Sequence, residues 1–241
     1  MFPMFVIFGF NLVNIGLWLL YVSLPIFIVY MFYLILTKAF RYMGFSSFEA
    51  IVIVLVSFLF FILEILGLNI VILGFNISNV YLFSYNNWDV GINIGGGIIP
   101  IVLSIYLYIK KKLDWRKLSI SILVVAIFTY FITYTDPLRG IVASVPLAFV
   151  PALIASLLSI LLVYKDFKKA APFAYISGAI GVLIGADFFH LYELLNYPIE
   201  IKTNAIIGGA IILDMIFITG IVAVLIDGIL MFRQRQKEGI E

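Results

Sequence analysis

The chain has 241 residues, 64% hydrophobic and 12% charged, with a mean hydropathy of +1.20 and a formal net charge of +2. A soluble domain is about half apolar and a quarter charged, so this composition excludes an ordinary soluble enzyme and predicts an all-α, polytopic membrane bundle. The absence of Cys and the single His190 exclude disulfides, thiolate catalysis and a multi-histidine metal or haem site within one chain, and no metal or cofactor is expected. The basic residues form no stripe with interleaved aromatics, which leaves the lipid bilayer rather than nucleic acid as the expected partner.

Met1-Phe-Pro-Met-Phe lacks the basic region and small-residue cleavage site of a secretory leader, and the apolar run continues to about Leu36. It reads as a retained first span, with Pro25 placed to kink a run that exceeds a hydrocarbon core of about 30 Å. Seven spans fit the apolar runs, at about 12–36, 47–73, 91–109, 118–134, 141–163, 171–195 and 204–231. They form a single integral membrane domain over 1–241, with no soluble domain, linker or convincing internal repeat. The second span opens on Ser46-Ser-Phe-Glu49, a capping-box pattern.

Charge orients the bundle. Lys38 and Arg41 follow span one; Lys110, Lys111, Lys112, Arg116 and Lys117 fill the third loop. Lys165, Lys168 and Lys169 fill the fifth, and Arg233, Arg235 and Lys237 the tail, whereas the alternate loops hold only Arg139 and Lys202. The positive-inside rule then puts the N-terminus outside and the C-terminus inside. Tyr81, Tyr85, Trp88, Tyr134 and Tyr192 fall near the outer boundary, where aromatic rings anchor helices, and Trp115 sits in the basic inner loop.

Two carboxylates lie inside the last two spans, each at a cost of roughly 2.5–3.5 kcal/mol on insertion scales. Asp187 on span six is about eight residues, or roughly 12 Å, from the outer end, and Asp214 on span seven about ten residues, or roughly 15 Å, from the same face. Glu64 on span two reaches a similar depth and could instead be neutral and hydrogen-bonded to Asn69 or a neighbouring helix. His190 lies one turn outward from Asp187, either bonded to it or facing outer water, and Glu193 follows at the next step as a snorkelling acid. Asp227, near Arg233, reads as a solvated helix-end charge. Asp136, in Thr135-Asp136-Pro137-Leu-Arg139-Gly140, reads first as an outer turn paired with Arg139, the alternative being a cap over the site.

Two backbone features reach the depth of the acids. Asn93-Ile-Gly95-Gly96-Gly97-Ile-Ile-Pro100 opens span three with a run that disfavours regular helix and permits close backbone approach. Pro146 and Pro151-Ala152-Leu153 in span five could likewise open a backbone carbonyl. Unwound backbone at membrane depth survives where protein or a cavity satisfies it; the alternative is a kinked, small-residue helix interface.

At these residues the chain resembles a prokaryotic membrane-protein family known as domain of unknown function 1614. The similarity runs from about Asn93 to Val224. It rests on Asn93-x-Gly95-Gly96-x-x-Ile99-Pro100, Val145-Pro146 with Pro151-Ala152-Leu153, Tyr175-x-Ser177-Gly178 and Ile184-Gly185-Ala186-Asp187, then Gly208-Gly209-Ala210 and Asp214-x-x-Phe217-x-x-Gly220-Ile221. The resemblance implies a prokaryotic plasma-membrane protein and brings no activity with it. His190 stands where the family pattern has Asn, and Leu213-Asp214-Met215 where it has a Phe-Asp-Gly-like string. Shorter strings resemble the intramembrane aspartyl proteases of the presenilin and signal-peptide-peptidase type: Gly185-Ala186-Asp187 for Gly-x-Gly-Asp, Asp214 for Tyr-Asp, and a literal Pro151-Ala152-Leu153, in a different chain order.

Three functions remain open. In a hydrolase, Asp187 and Asp214 would share a proton, one activating water and the other donating to the substrate carbonyl. The span-three glycines, Gly185 and Pro151 to Leu153 would then hold an unfolded strand of a transmembrane peptide. In a transporter or channel the same acids would carry a proton or cation, with Glu64 and His190 as auxiliaries. In a structural or assembly subunit they would be buried helix–helix hydrogen-bond partners.

Overall fold

The computed structural model describes residues 12–65, 71–72, 75–76, 79–137, 140–144, 146–163, 166–209 and 215–230. It is mostly helical, and among these residues four helical stretches are long and apolar enough to cross a membrane: Leu19–Tyr42, Ile94–Lys111, Trp115–Ile132 and Lys168–Leu195. The all-α expectation is corrected by three small sheets: two of them take the starts of the predicted spans 91–109, 141–163 and 204–231, and the other falls at the end of the predicted span 47–73.

Helix α1 (Leu12–Tyr42) passes through Pro25 and runs on beyond the predicted end at 36. From Leu19 on most of it is exposed, and Leu36, Ala39 and Phe40, with Met43 just past its end, form a buried stripe at i, i+3, i+4 and i+7. Helix α2 (Ser47–Ile65) starts as the sequence predicts: Ser46 N donates to Glu49 Oε2 at 2.7 Å, and Glu49 N to Ser46 Oγ at 3.2 Å. Strands β1 (Val71–Ile72) and β2 (Phe75–Asn76) pair with each other.

Strands β3 (Asn79–Tyr85) and β4 (Trp88–Asn93) then form a hairpin through Asn86 and Asn87, whose φ of 46° and 64° suit a primed turn. A single π-helical turn (Ile94–Ile98) links β4 to α3 (Ile99–Lys111), so the predicted span 91–109 is helical only after its first three residues. Helix α4 (Trp115–Ile132) is capped by Asp114, whose carboxylate accepts from Arg116 N. It ends in the hairpin β5 (Thr133–Asp136) and β6 (Gly140–Ala143), which occupies the turn predicted around Asp136 and takes the first residues of the predicted span 141–163. Arg139 lies outside the described residues. A 3₁₀ turn (Leu147–Phe149) precedes α5 (Val150–Val163), which puts Pro151 in a first helical turn, where its missing N–H costs nothing.

Helix α6 (Phe167–Val182), a second π-helical segment (Leu183–Phe188) and α7 (Phe189–Leu195) form one continuous rod at the centre of the molecule. Of the most apolar window of this rod 78% is buried, against 6% for α1, and α6 packs on α3, α4, α5 and α8. Small residues make that possible: a Cβ at Gly181 would meet Val125 at 2.6 Å, and one at Gly178 would meet Thr219 and Ala155 at 3.3 and 3.5 Å.

Strand β7 (Thr203–Ile207) pairs parallel to β4, from Trp88↔Thr203 to Ile92↔Ile207, and leads towards α8 (Met215–Leu230). The predicted span 204–231 therefore starts as a strand. Short apolar runs rich in Ile and Val look alike in hairpin and helix, and long-range pairing with β4 decided for strand here. Trp88, expected as a boundary anchor, is instead 1% exposed and donates its indole N–H to the Tyr197 carbonyl at 3.3 Å.

Candidate functional site

Asp187 is held where three backbone irregularities meet. It lies in the π-helical segment of the central rod, the kind of local widening that often accompanies functional sites. Gly185, in the same segment, has no space for a side chain: a Cβ there would collide with the Ala126 carbonyl and lie 2.8 Å from Thr129 Cβ. This close approach of α4 fixes the carboxyl-bearing turn. Asp187 is buried, and its Oδ2 accepts a hydrogen bond from Gly208 N at 2.6 Å.

Gly208 turns the chain out of β7 with φ of +82°, and a Cβ on it would sit 2.5 Å from Gly97 N. The glycine run thus adjoins Gly208, which in turn bonds Asp187. Asn93 organises the run: it is 1% exposed, its Oδ1 accepts from Gly96 N at 2.8 Å, and its Nδ2 donates to Asn79 Oδ1 at 2.9 Å. Gly95, Gly96 and Gly97 are all buried in the first π turn, and Pro100 follows in the first turn of α3.

A cavity of about 220 Å³ opens beside Asp187. Trp88, Pro137, Gly140, Ile141, Leu191 and Leu194 enclose it together with Gly209 and every residue of β7 from Thr203 to Ile207. Successive strand residues point to opposite faces, so a cavity lined by all five runs along the strand's edge rather than over one face. That edge takes no strand among the described residues, since β4 lies on the other side of β7.

His190 is not a partner of Asp187. Both its ring nitrogens are engaged elsewhere, Nδ1 with Glu193 Oε2 and Nε2 with the Tyr130 carbonyl, each at 3.2 Å. Its ring stacks on Tyr130 with centroids 4.6 Å apart. Pro151 and Ala152 are buried in the α5 interface, whereas Leu153 is exposed. Asp214 and the side chain of Glu64 lie outside the described residues.

Asp227 corrects an expectation of the opposite kind. It is fully buried rather than solvated, and its Oδ1 accepts from Ser159 Oγ at 3.1 Å. Gly208 and β7 are also additions to the expected site, and one sequence signal for them existed. Ile94-Gly-Gly-Gly-Ile-Ile99 and Ile207-Gly-Gly-Ala-Ile-Ile212 differ at one position of six, and each string follows one of two strands that pair in parallel, β4 and β7.

The molecule is thus a mostly helical protein with several spans' worth of apolar helix, and a buried acid tied to a glycine-lined sheet end. The chain belongs to the family described as "Protein of unknown function (DUF1614)", whose model matches residues 64–226, a range that includes Asp187, Gly208 and Asp214. Searches of curated proteins and of solved structures gave no match.

Proposed function

We propose that the chain is an intramembrane hydrolase that cleaves an extended peptide segment beside Asp187, with Asp214 as the second carboxyl. The observation that carries this reading is the edge of β7 that takes no strand among the described residues. A peptide adding to that edge would gain main-chain hydrogen bonds along Thr203–Ile207 and lie in the cavity that Asp187 lines. The bond from Gly208 N leaves one oxygen of Asp187 oriented, as a general base or acid requires. One carboxyl would activate water while the other donates to the scissile carbonyl.

In this reading the strand-bearing end faces outward and the basic loops face inward, with α1, α2, α3, α4, α5, the α6–α7 rod and α8 as seven spans of one membrane domain. The membrane is the prokaryotic plasma membrane and the substrate a transmembrane or juxtamembrane peptide.

Cleavage of a fluorogenic transmembrane-peptide library by the reconstituted chain tests it. Asp187→Asn and Asp214→Asn should each lower cleavage by about 10³-fold or more while leaving the melting temperature within a few degrees, since Asn can still accept from Gly208 N. Cleavage retained in either variant would end the proposal.

Buried Asp227 favours a second reading. Acids buried at both ends of the central rod, Asp187 and Asp227, suit a proton- or cation-coupled transporter. The two readings separate at Asp227→Asn, which spares a hydrolase and abolishes proton-coupled flux in liposomes.

A further inference from the structure

At the end of the bundle away from Asp187, the α3–α4 and α5–α6 connections enclose a second cavity of about 510 Å³. Its floor is apolar: Leu113, Leu162, Val163 and Phe173, the last 1% exposed. Its walls are charged, with Lys112, Lys117 and Lys169 against Asp114 and Asp166, a balance of three positive to two negative. Both acids are engaged, Asp114 as the cap of α4 and Asp166 with Lys169 Nζ at 3.1 Å. The lysines are not saturated. Lys117 donates one bond to the Leu162 carbonyl at 3.0 Å, and Lys112 has no ion pair among the described residues. An ammonium carries three donors, so each lysine can still reach an anion.

What lies next to this pocket identifies the anion's carrier. Leu153, Leu157 and Leu161 repeat at i, i+4 and i+8 on α5 and are 48%, 54% and 73% exposed. They form an apolar stripe of about 12 Å that ends at the pocket mouth. Trp115, exposed in the first turn of α4, marks the same level as a membrane–water boundary. A phosphate in the lysine cup and a hydrocarbon chain along the leucine stripe would satisfy both surfaces at once.

We infer that this pocket binds the headgroup of an anionic glycerophospholipid, with an acyl chain laid along Leu161, Leu157 and Leu153. Basic pockets between helix ends on the cytoplasmic side are suited to such headgroups. The inference uses the membrane placement of the chain and is independent of the chemistry at Asp187.

The test is native mass spectrometry of the full-length chain released from detergent, titrated with phosphatidylglycerol or with phosphatidylcholine of the same acyl chains. One phosphatidylglycerol should be retained at a concentration about tenfold or more below that needed for phosphatidylcholine. Each lysine replaced in the series Lys112→Gln, Lys117→Gln, Lys169→Gln should weaken it by about fivefold. Lys112→Gln alone breaks no side-chain bond among the described residues, so its effect is readable even if the triple variant is poorly folded. Leu157→Ala with Leu161→Ala should also weaken retention. Equal retention of the two lipids, or no loss in Lys112→Gln, would overturn the inference. So would an equal loss in Lys38→Gln with Arg41→Gln, which indicates diffuse charge, or displacement by millimolar glycerol phosphate, which indicates a site for a free phosphate ester.

Discussion

A carboxylate in an apolar bundle needs a donor, and the backbone N–H of Gly208 supplies one to Asp187. That choice makes Gly208 as consequential as the acid. Its left-handed backbone and its contact with Gly97 both exclude a side chain, so Gly208→Ala should destabilise the protein by about 2–5 kcal/mol in detergent melts. Gly140, at φ of +78° with nothing within 4 Å of a Cβ, provides the control. Gly140→Ala should cost only the backbone term, about 1–2 kcal/mol. Equal losses at the two positions would mean that the crossing of Gly208 over Gly97 is loose.

Strands at the ends of helices position this site, and the β4–β7 pair is clamped outside the apolar region by Asp89 and Lys202, 2.8 Å apart. The ammonium of Lys202, then the Ser84 hydroxyl, holds the Asp89 carboxyl below its ordinary 3.8, and Asp89 raises Lys202 above 10.5. The Asp89 contribution is therefore complete above the ordinary carboxyl value and is lost as pH falls through the lower folded value. The Lys202 contribution is complete below the ordinary lysine value and is lost as pH rises through the higher one. Amide exchange in β4 and β7 should stay flat from about pH 4 to 10 after correction for intrinsic rates, and loosen outside that window. Lys202→Gln should remove the acid-side change. A profile identical to the parent's would show that the clamp carries no weight.

Across the whole molecule, the basic and strand-bearing ends lie at opposite ends of the helices, which makes the orientation testable. The chain has no Cys, so single exposed cysteines report without background. With an impermeant maleimide added outside intact cells, Glu200→Cys should label and Arg116→Cys should label only after lysis; the reverse pattern would invert the proposed topology.

Membrane association, family membership and the glycine run that disfavours regular helix are legible in the chain alone. Composition, spacing of apolar runs and the Asn93–Pro100 and Ile184–Asp187 strings are local properties, legible without a partner. The capping box at Ser46 and Glu49 was legible for the same reason. Long-range packing makes Thr203–Ile207 a strand, sets Gly208 on Asp187, draws Trp88 and Asp227 inside, and turns His190 to Tyr130. Each of these depends on a group distant in the chain. An apolar pentapeptide is equally content in a helix until a second strand, over 100 residues away, offers its backbone in register.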